Sequence, residues 1–169
     1  MCQRFWILAC GVLLLAGLVG CDATDPKTLE LRNRLVLTEE PAGAMSIAES
    51  REKLAANPEV VVVGRIQSGE VDPWAKGQAA FMLSEDLGDA HAKTSGHDPA
   101  NCPFCRRRAE KGNTTALVQF RDETGKPLAI DARELLGVGD NQVVVVRGKG
   151  EVNDLGLLVI AADSIHLRK

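Results

Sequence analysis

Two runs of consecutive valines, Val60-Val61-Val62-Val63 and Val143-Val144-Val145-Val146, constrain this chain more than any other feature. Side chains branched at Cβ crowd a helix and fit a pleated sheet, so both runs are expected to be buried strands. The first extends over residues 59–66 and the second over residues 142–149. Around them the same reading yields three more strands. Residues 78–84 form an apolar run. Residues 115–121 alternate, with Leu117 and Gln119 on one face and Ala116, Val118 and Phe120 on the other. After the turn Asp122-Glu123-Thr124-Gly125-Lys126, residues 127–130 return from it as a short extended segment. The last strand takes residues 157–161 and 165–167, with an interruption near Asp163, and follows a hairpin turn at Val152-Asn153-Asp154-Leu155-Gly156.

Helices are few. Ser46-Ile47-Ala48-Glu49 has capping-box spacing, and the good helix formers that follow predict a helix over 47–56, stopped by Asn57-Pro58 and packed through Ile47 and Leu54. Asp131 and Glu134 can cap a second short helix ending at Leu136, before Gly137 and Gly139. Residues 29–37 carry apolar side chains at 29, 31, 35 and 37, a pattern that fits a helix or a strand.

The order strand, strand, strand, short helix, strand, strand resembles the OB-fold, a five-stranded Greek-key barrel. Arg147-Gly148-Lys149, then Leu157-Leu158-Val159-Ile160 and Ala162-Asp163-Ser164-Ile165, resemble the closing hairpin of OB-fold domains of the tRNA-anticodon-binding type. The resemblance implies a mainly β domain over residues 46–169, an OB-fold-like barrel with one or two short helices, the alternative being another small barrel or a sandwich. It speaks for fold and not for function.

The N-terminus has a separate logic. Arg4 precedes an uncharged apolar stretch over residues 5–19, and Leu18-Val19-Gly20-Cys21 closes it. A basic residue ahead of a short apolar core is the pattern of an export signal. The ending resembles the bacterial lipobox. That resemblance implies that residues 1–20 are removed as a signal peptide and that Cys21 is acylated, with palmitate or a similar chain. Residues 21–45 are then a lipidated tether and extension, polar over residues 22–28. The protein is expected in the cell envelope, held to a membrane by lipid and facing the periplasm or the exterior, inner and outer membrane both being open.

Cleavage removes Cys2 and Cys10, and the lipid consumes Cys21, leaving Cys102 and Cys105 in an oxidising compartment. Both fall in the insertion 85–113, a length of loop that is uncommon in a compact domain and is usually functional or disordered. The insertion reads His91-x5-His97-x4-Cys102-x2-Cys105. Cys-Pro-Phe-Cys resembles half of a zinc knuckle, although Arg106 stands where a knuckle often has Gly. Thiolates and imidazoles are the favoured ligands of zinc, and copper(I) accepts them too. Cys102, Cys105, His97 and His91 are therefore the candidate metal set, with Asp89 and Asp98 as substitutes for either histidine. Two other readings stay open: a plain disulfide between the cysteines, and a redox-active pair. For the redox pair, Cys102 would sit at the start of a helix through Arg106, Arg107 and Arg108, where its thiol pKa would fall. Thioredoxin-like enzymes, however, set Cys-x-x-Cys in a βαβ pattern that this chain lacks.

The remaining evidence narrows the function classes. Net charge is −3, Tyr is absent, and only Trp74, Phe81, Phe104 and Phe120 supply aromatic rings after the signal, so no nucleic-acid partner is expected. No Ser-His-Asp set, phosphate-cradling loop or carboxylate pair calls for catalysis. The expectation is a non-enzymatic envelope lipoprotein that binds a transition metal, most naturally zinc, in a structural or carrier role. The alternatives are a thiol–disulfide protein and a binding module for an envelope protein or glycan. Trp74 is read either as a ligand platform or as a cover for one end of the barrel, and His166 as a solvent-facing residue of the last strand.

Overall fold

The computed structural model describes residues 25–67, 71–85 and 114–168. Over these the chain is mainly β. In order, the elements are α1 (Pro26–Leu35), β1 (Val36–Leu37), α2 (Ile47–Lys53), β2 (Glu59–Ile66), β3 (Ala80–Ser84), β4 (Thr115–Phe120), α3 (Ala132–Leu136), β5 (Val143–Val152) and β6 (Leu158–Leu167).

All six strands belong to one sheet, in the order β1-β6-β4-β3-β2-β5, and β5 pairs in addition with β6. The pairings among β2, β3, β4, β6 and β5 thus return to their starting strand. Neighbours are antiparallel except at β4–β6 and β1–β6, which run parallel. The valine runs lie side by side, Val62 opposite Val146 and Val63 opposite Val145. Strand β2 alternates as the period of two requires, with Val60, Val62 and Ile66 buried. They join Phe81, Leu83, Ala116, Val118, Phe120, Val144, Val146, Leu158, Ile160 and Ile165 in one core. On β4 the buried face is Ala116, Val118 and Phe120, the face expected from the alternation.

Where β5 meets β6 the register slips. Arg147 faces Ser164, but Gly148 faces Ala162, so Asp163 is the extra residue of a β-bulge. Its carboxylate accepts from Arg147 Nε (3.0 Å) and from the Ser164 hydroxyl (2.6 Å). The interruption expected near Asp163 is this bulge; β6 runs through it unbroken. Gly148 is needed here, because a Cβ on it would lie 2.2 Å from the Ala161 carbonyl oxygen and 2.7 Å from Ala162 Cα.

The helices follow from their caps. Ser46 Oγ accepts from Glu49 N–H (3.2 Å), and Glu49 returns the bond to Ser46 N–H (3.1 Å). Ile47 is fully buried, and Leu54, just past the helix, packs on the core. Helix α3 starts at Asp131, which accepts from Arg133 N–H (3.0 Å), and ends at Gly137 in the left-handed conformation (φ 70°).

Two elements differ from expectation. The sheet has a sixth strand, β1, of two residues on the outer side of β6. The ambiguous stretch 29–37 is mostly helix: α1 starts at Pro26, inside the stretch read as a polar spacer, because Asp25 caps it and Pro26 opens it. Thr28 and Leu35 are buried, and Arg32 lies against the Gly137 cap of α3. Residues 127–130 return from their turn without making a strand. Pro127 lacks an N–H and forms only an isolated bridge with Arg121, while Leu128 is pinned between the Phe120 carbonyl and the Ala79 N–H, both at 2.9 Å.

Candidate functional site

The residues singled out for chemistry, Cys21 for the lipid and His91, His97, Cys102 and Cys105 for the metal, lie outside the described residues, as do Asp89, Asp98 and Arg106 to Arg108. What is described is the mount from which residues 86–113 leave. Strands β3 and β4 pair without slippage from Ala80↔Gln119 to Ser84↔Thr115. One step further, Glu85 N–H donates to the Thr114 carbonyl (2.8 Å). The two ends of the insertion are therefore held side by side by a continuous ladder.

Glu85 fastens that mount to a helix. Its side chain is 5% exposed, and Oε1 accepts from Ala48 N–H at 2.9 Å. The first turn of any helix leaves N–H groups without partners inside the helix. In α2 the capping box serves Ser46 and Glu49, and Glu85 serves Ala48 from the end of β3. A carboxylate at this position also meets the positive end of the helix dipole. Sequence reasoning missed Glu85. The signal available was an acidic residue closing an apolar strand, which names no partner by itself.

Away from this mount, Trp74 organises a second polar cluster. It is 8% exposed and part of the core, its ring tilted at 54° against Phe81 with centroids 5.8 Å apart. Its indole N–H donates to Asp140 Oδ1 (2.6 Å), and its backbone N–H to Asp72 Oδ1 (3.1 Å). The Arg133 guanidinium sits 5.3 Å from the ring centroid, within cation–π range. Asp131 grips that guanidinium with both oxygens, each at 2.9 Å. The Arg133 bonds lower the Asp131 carboxyl to about 2, and Asp131 in turn raises Arg133. Of the two roles open to Trp74, covering one end of the core fits these surroundings; the ring is packed and its N–H is used.

His166 is half-buried on β6. Its Nδ1 lies 3.2 Å from the Leu37 carbonyl, so the added strand β1 covers a side chain expected to face solvent. Among the described residues no three His, Cys, Asp or Glu side chains come together in a way that holds a metal, and no helix is long and apolar enough to cross a membrane. No protein-family model matches the chain, and no curated protein is similar to it.

Proposed function

We propose that this chain is a lipid-anchored envelope protein whose OB-fold-like barrel displays a zinc-binding segment. The barrel reading is supported by the ring of pairings β2-β3-β4-β6-β5 and by the place of α3 between β4 and β5. Strand β1 is an addition to that ring.

One observation carries the functional part. The ladder from Ala80↔Gln119 to Ser84↔Thr115, closed by Glu85 and Thr114, inserts residues 86–113 at a single point of the sheet. All four candidate ligands belong to that one insertion. Two thiolates and two imidazoles are a zinc set, and a structural zinc supplies folding energy to the segment that holds it. Cys102 and Cys105 would hold the ion with His97, and His91 would complete the set. The role is structural or carrier-like, and copper(I) is the competing ion.

The test measures zinc and copper stoichiometry on reduced full-length protein, purified without chelator or affinity tag. The wild type is expected to hold one equivalent of zinc, and Cys102→Ser/Cys105→Ser none. A reduced wild type that takes up neither metal ends the proposal. An unchanged His97→Ala keeps the metal but removes that ligand. Acylation is tested separately: Cys21→Ser should incorporate no labelled fatty acid.

A further inference from the structure

The described fold begins very close to the lipid. Cys21 is followed by Asp22, Ala23 and Thr24, and Asp25 is already the N-cap of α1. Four residue steps reach at most about 14 Å when fully extended. A domain of this size has a radius of gyration of about 15 Å. The leash is therefore no longer than the domain's own radius.

Helix α1 is no free linker that could lengthen it. Thr28 and Leu35 are buried, Leu31 packs on the core, and Arg32 lies against the Gly137 cap of α3. Its C-terminal end runs directly into β1, whose Val36 pairs with Ile165 of β6. The helix moves only with the domain. Its outward side carries Lys27, Leu29, Glu30, Asn33 and Arg34, with Leu29 44% exposed.

We infer that the domain rests on the bilayer through α1, with the first turn of the helix at headgroup level and the β5–β6 turn on the side away from the membrane. The inference rests on acylation at Cys21. The occupant of the α1 surface is a bilayer because of the leash and not because of charge: Lys27 and Arg34 are offset by Glu30 and Asp25. The headgroup layer is about 5–8 Å deep on each side, so a 14 Å leash leaves the first turn of α1 no way to clear it by more than the width of a side chain or two. The far side follows from the sheet. Val36, directly after α1, pairs with Ile165 near one end of β6, and Arg32 of α1 lies against the Gly137 cap of α3, whereas Ala116 at the start of β4 pairs with Leu158 at the other end. Those levels are about 23 Å apart along the strand. The turn at residues 153–157 and the mount at Glu85 and Thr114 belong to the distant level.

The test uses the full acylated protein in nanodiscs containing a gadolinium-chelating lipid, with amide signals followed by NMR. Amides of residues 27–30 should lose intensity several-fold more than those of residues 154–156. A flexible Gly-Ser insertion between Ala23 and Thr24 should abolish the difference. Uniform loss, or greater loss at residues 154–156, overturns the orientation. A difference that survives the insertion overturns the leash as its cause. The mass of the same sample separates the two readings: without an acyl group on Cys21, the anchor itself is wrong and the inference falls with it.

Discussion

Replacing Gly148 with Ala tests the bulge at the β5–β6 crossing. The added Cβ would sit 2.2 Å from the Ala161 oxygen, where real Cβ atoms keep at least 3.0 Å, and 2.7 Å from Ala162 Cα. Both obstacles are backbone, so no side-chain rotation relieves them. Strand β6 must yield by 0.8 Å or more, the gap between those two distances. Such a shift strains the pairs Gly148↔Ala162 and Lys149↔Ala161 beside the bulge. Two weakened ladder bonds at about 1 kcal/mol each, plus overpacking strain of about 1–3 kcal/mol, give a loss of roughly 3–5 kcal/mol. Against a typical stability of about 5–15 kcal/mol this is severe. Urea unfolding reads it directly, since a slope of about 1–3 kcal/mol per molar turns the loss into a midpoint lowered by more than about 1 M. Other glycines grade the reasoning. Gly64→Ala meets the Ser84 carbonyl oxygen at 2.9 Å and should cost less. Gly150→Ala meets side-chain ends instead of backbone, Leu54 Cδ2 at 2.6 Å with Leu158 and Val60 at 3.4 Å, and should cost less than Gly148→Ala, and Gly139→Ala, with open space around it, should be near neutral. An unmoved midpoint for Gly148→Ala, or an equal fall for Gly139→Ala, refutes the argument.

Val62→Asp puts a carboxylate at a fully buried core position, a cost of several kcal/mol, and circular dichroism should show loss of the native sheet; a folded variant would place Val62 outside the core. Glu85→Ala removes the acceptor of the Ala48 N–H, so stability should fall by about 1–3 kcal/mol and the Ala48 amide should exchange faster; unchanged exchange would dissociate α2 from the mount. Asp131→Asn keeps an N-cap but loses the charge that Arg133 stabilises. Because the native carboxyl lies at about 2, below its ordinary 3.8, its contribution is full above about pH 4 and fades as pH falls toward 2. The wild type's advantage over Asn should shrink across that window. The pair is solvent-accessible, so the amplitude should stay under about 1 kcal/mol; an advantage that persists at pH 2 contradicts the pairing.

The strands were legible where burial imposes a period. Val60, Val62 and Ile66 on β2, and Ala116, Val118 and Phe120 on β4, face the core as alternation dictates. The capping box of α2 and the Asp131 cap of α3 were legible because they involve neighbours a few residues apart. Illegible features depend on distant partners. The way residues 127–130 return from their turn is one: Pro127 cannot donate, and Leu128 is held by Phe120 and Ala79. Leu29, Leu31, Leu35 and Leu37 satisfy two periods at once, and the docking of Arg32 at Gly137 and of Val36 on Ile165 decided between them. For Trp74, the sequence offered two roles; its partner Asp140 is 66 residues away in the chain, beyond any local pattern. At the candidate site, the ligand types and their spacing are sequence properties, whereas Glu85 and Thr114 acquire meaning only from the fold.

The in-register end of the β3–β4 ladder has a consequence for how freely the segment between can change. Because Ser84 and Thr115 already face each other, a flexible connection between them would cost conformational entropy that grows only with the logarithm of its length, about 0.6 kcal/mol for each doubling. The sheet is nearly indifferent to how many residues pass between those two positions. On the proposed reading, the length of the segment could then change with little effect on the pairing of β3 with β4.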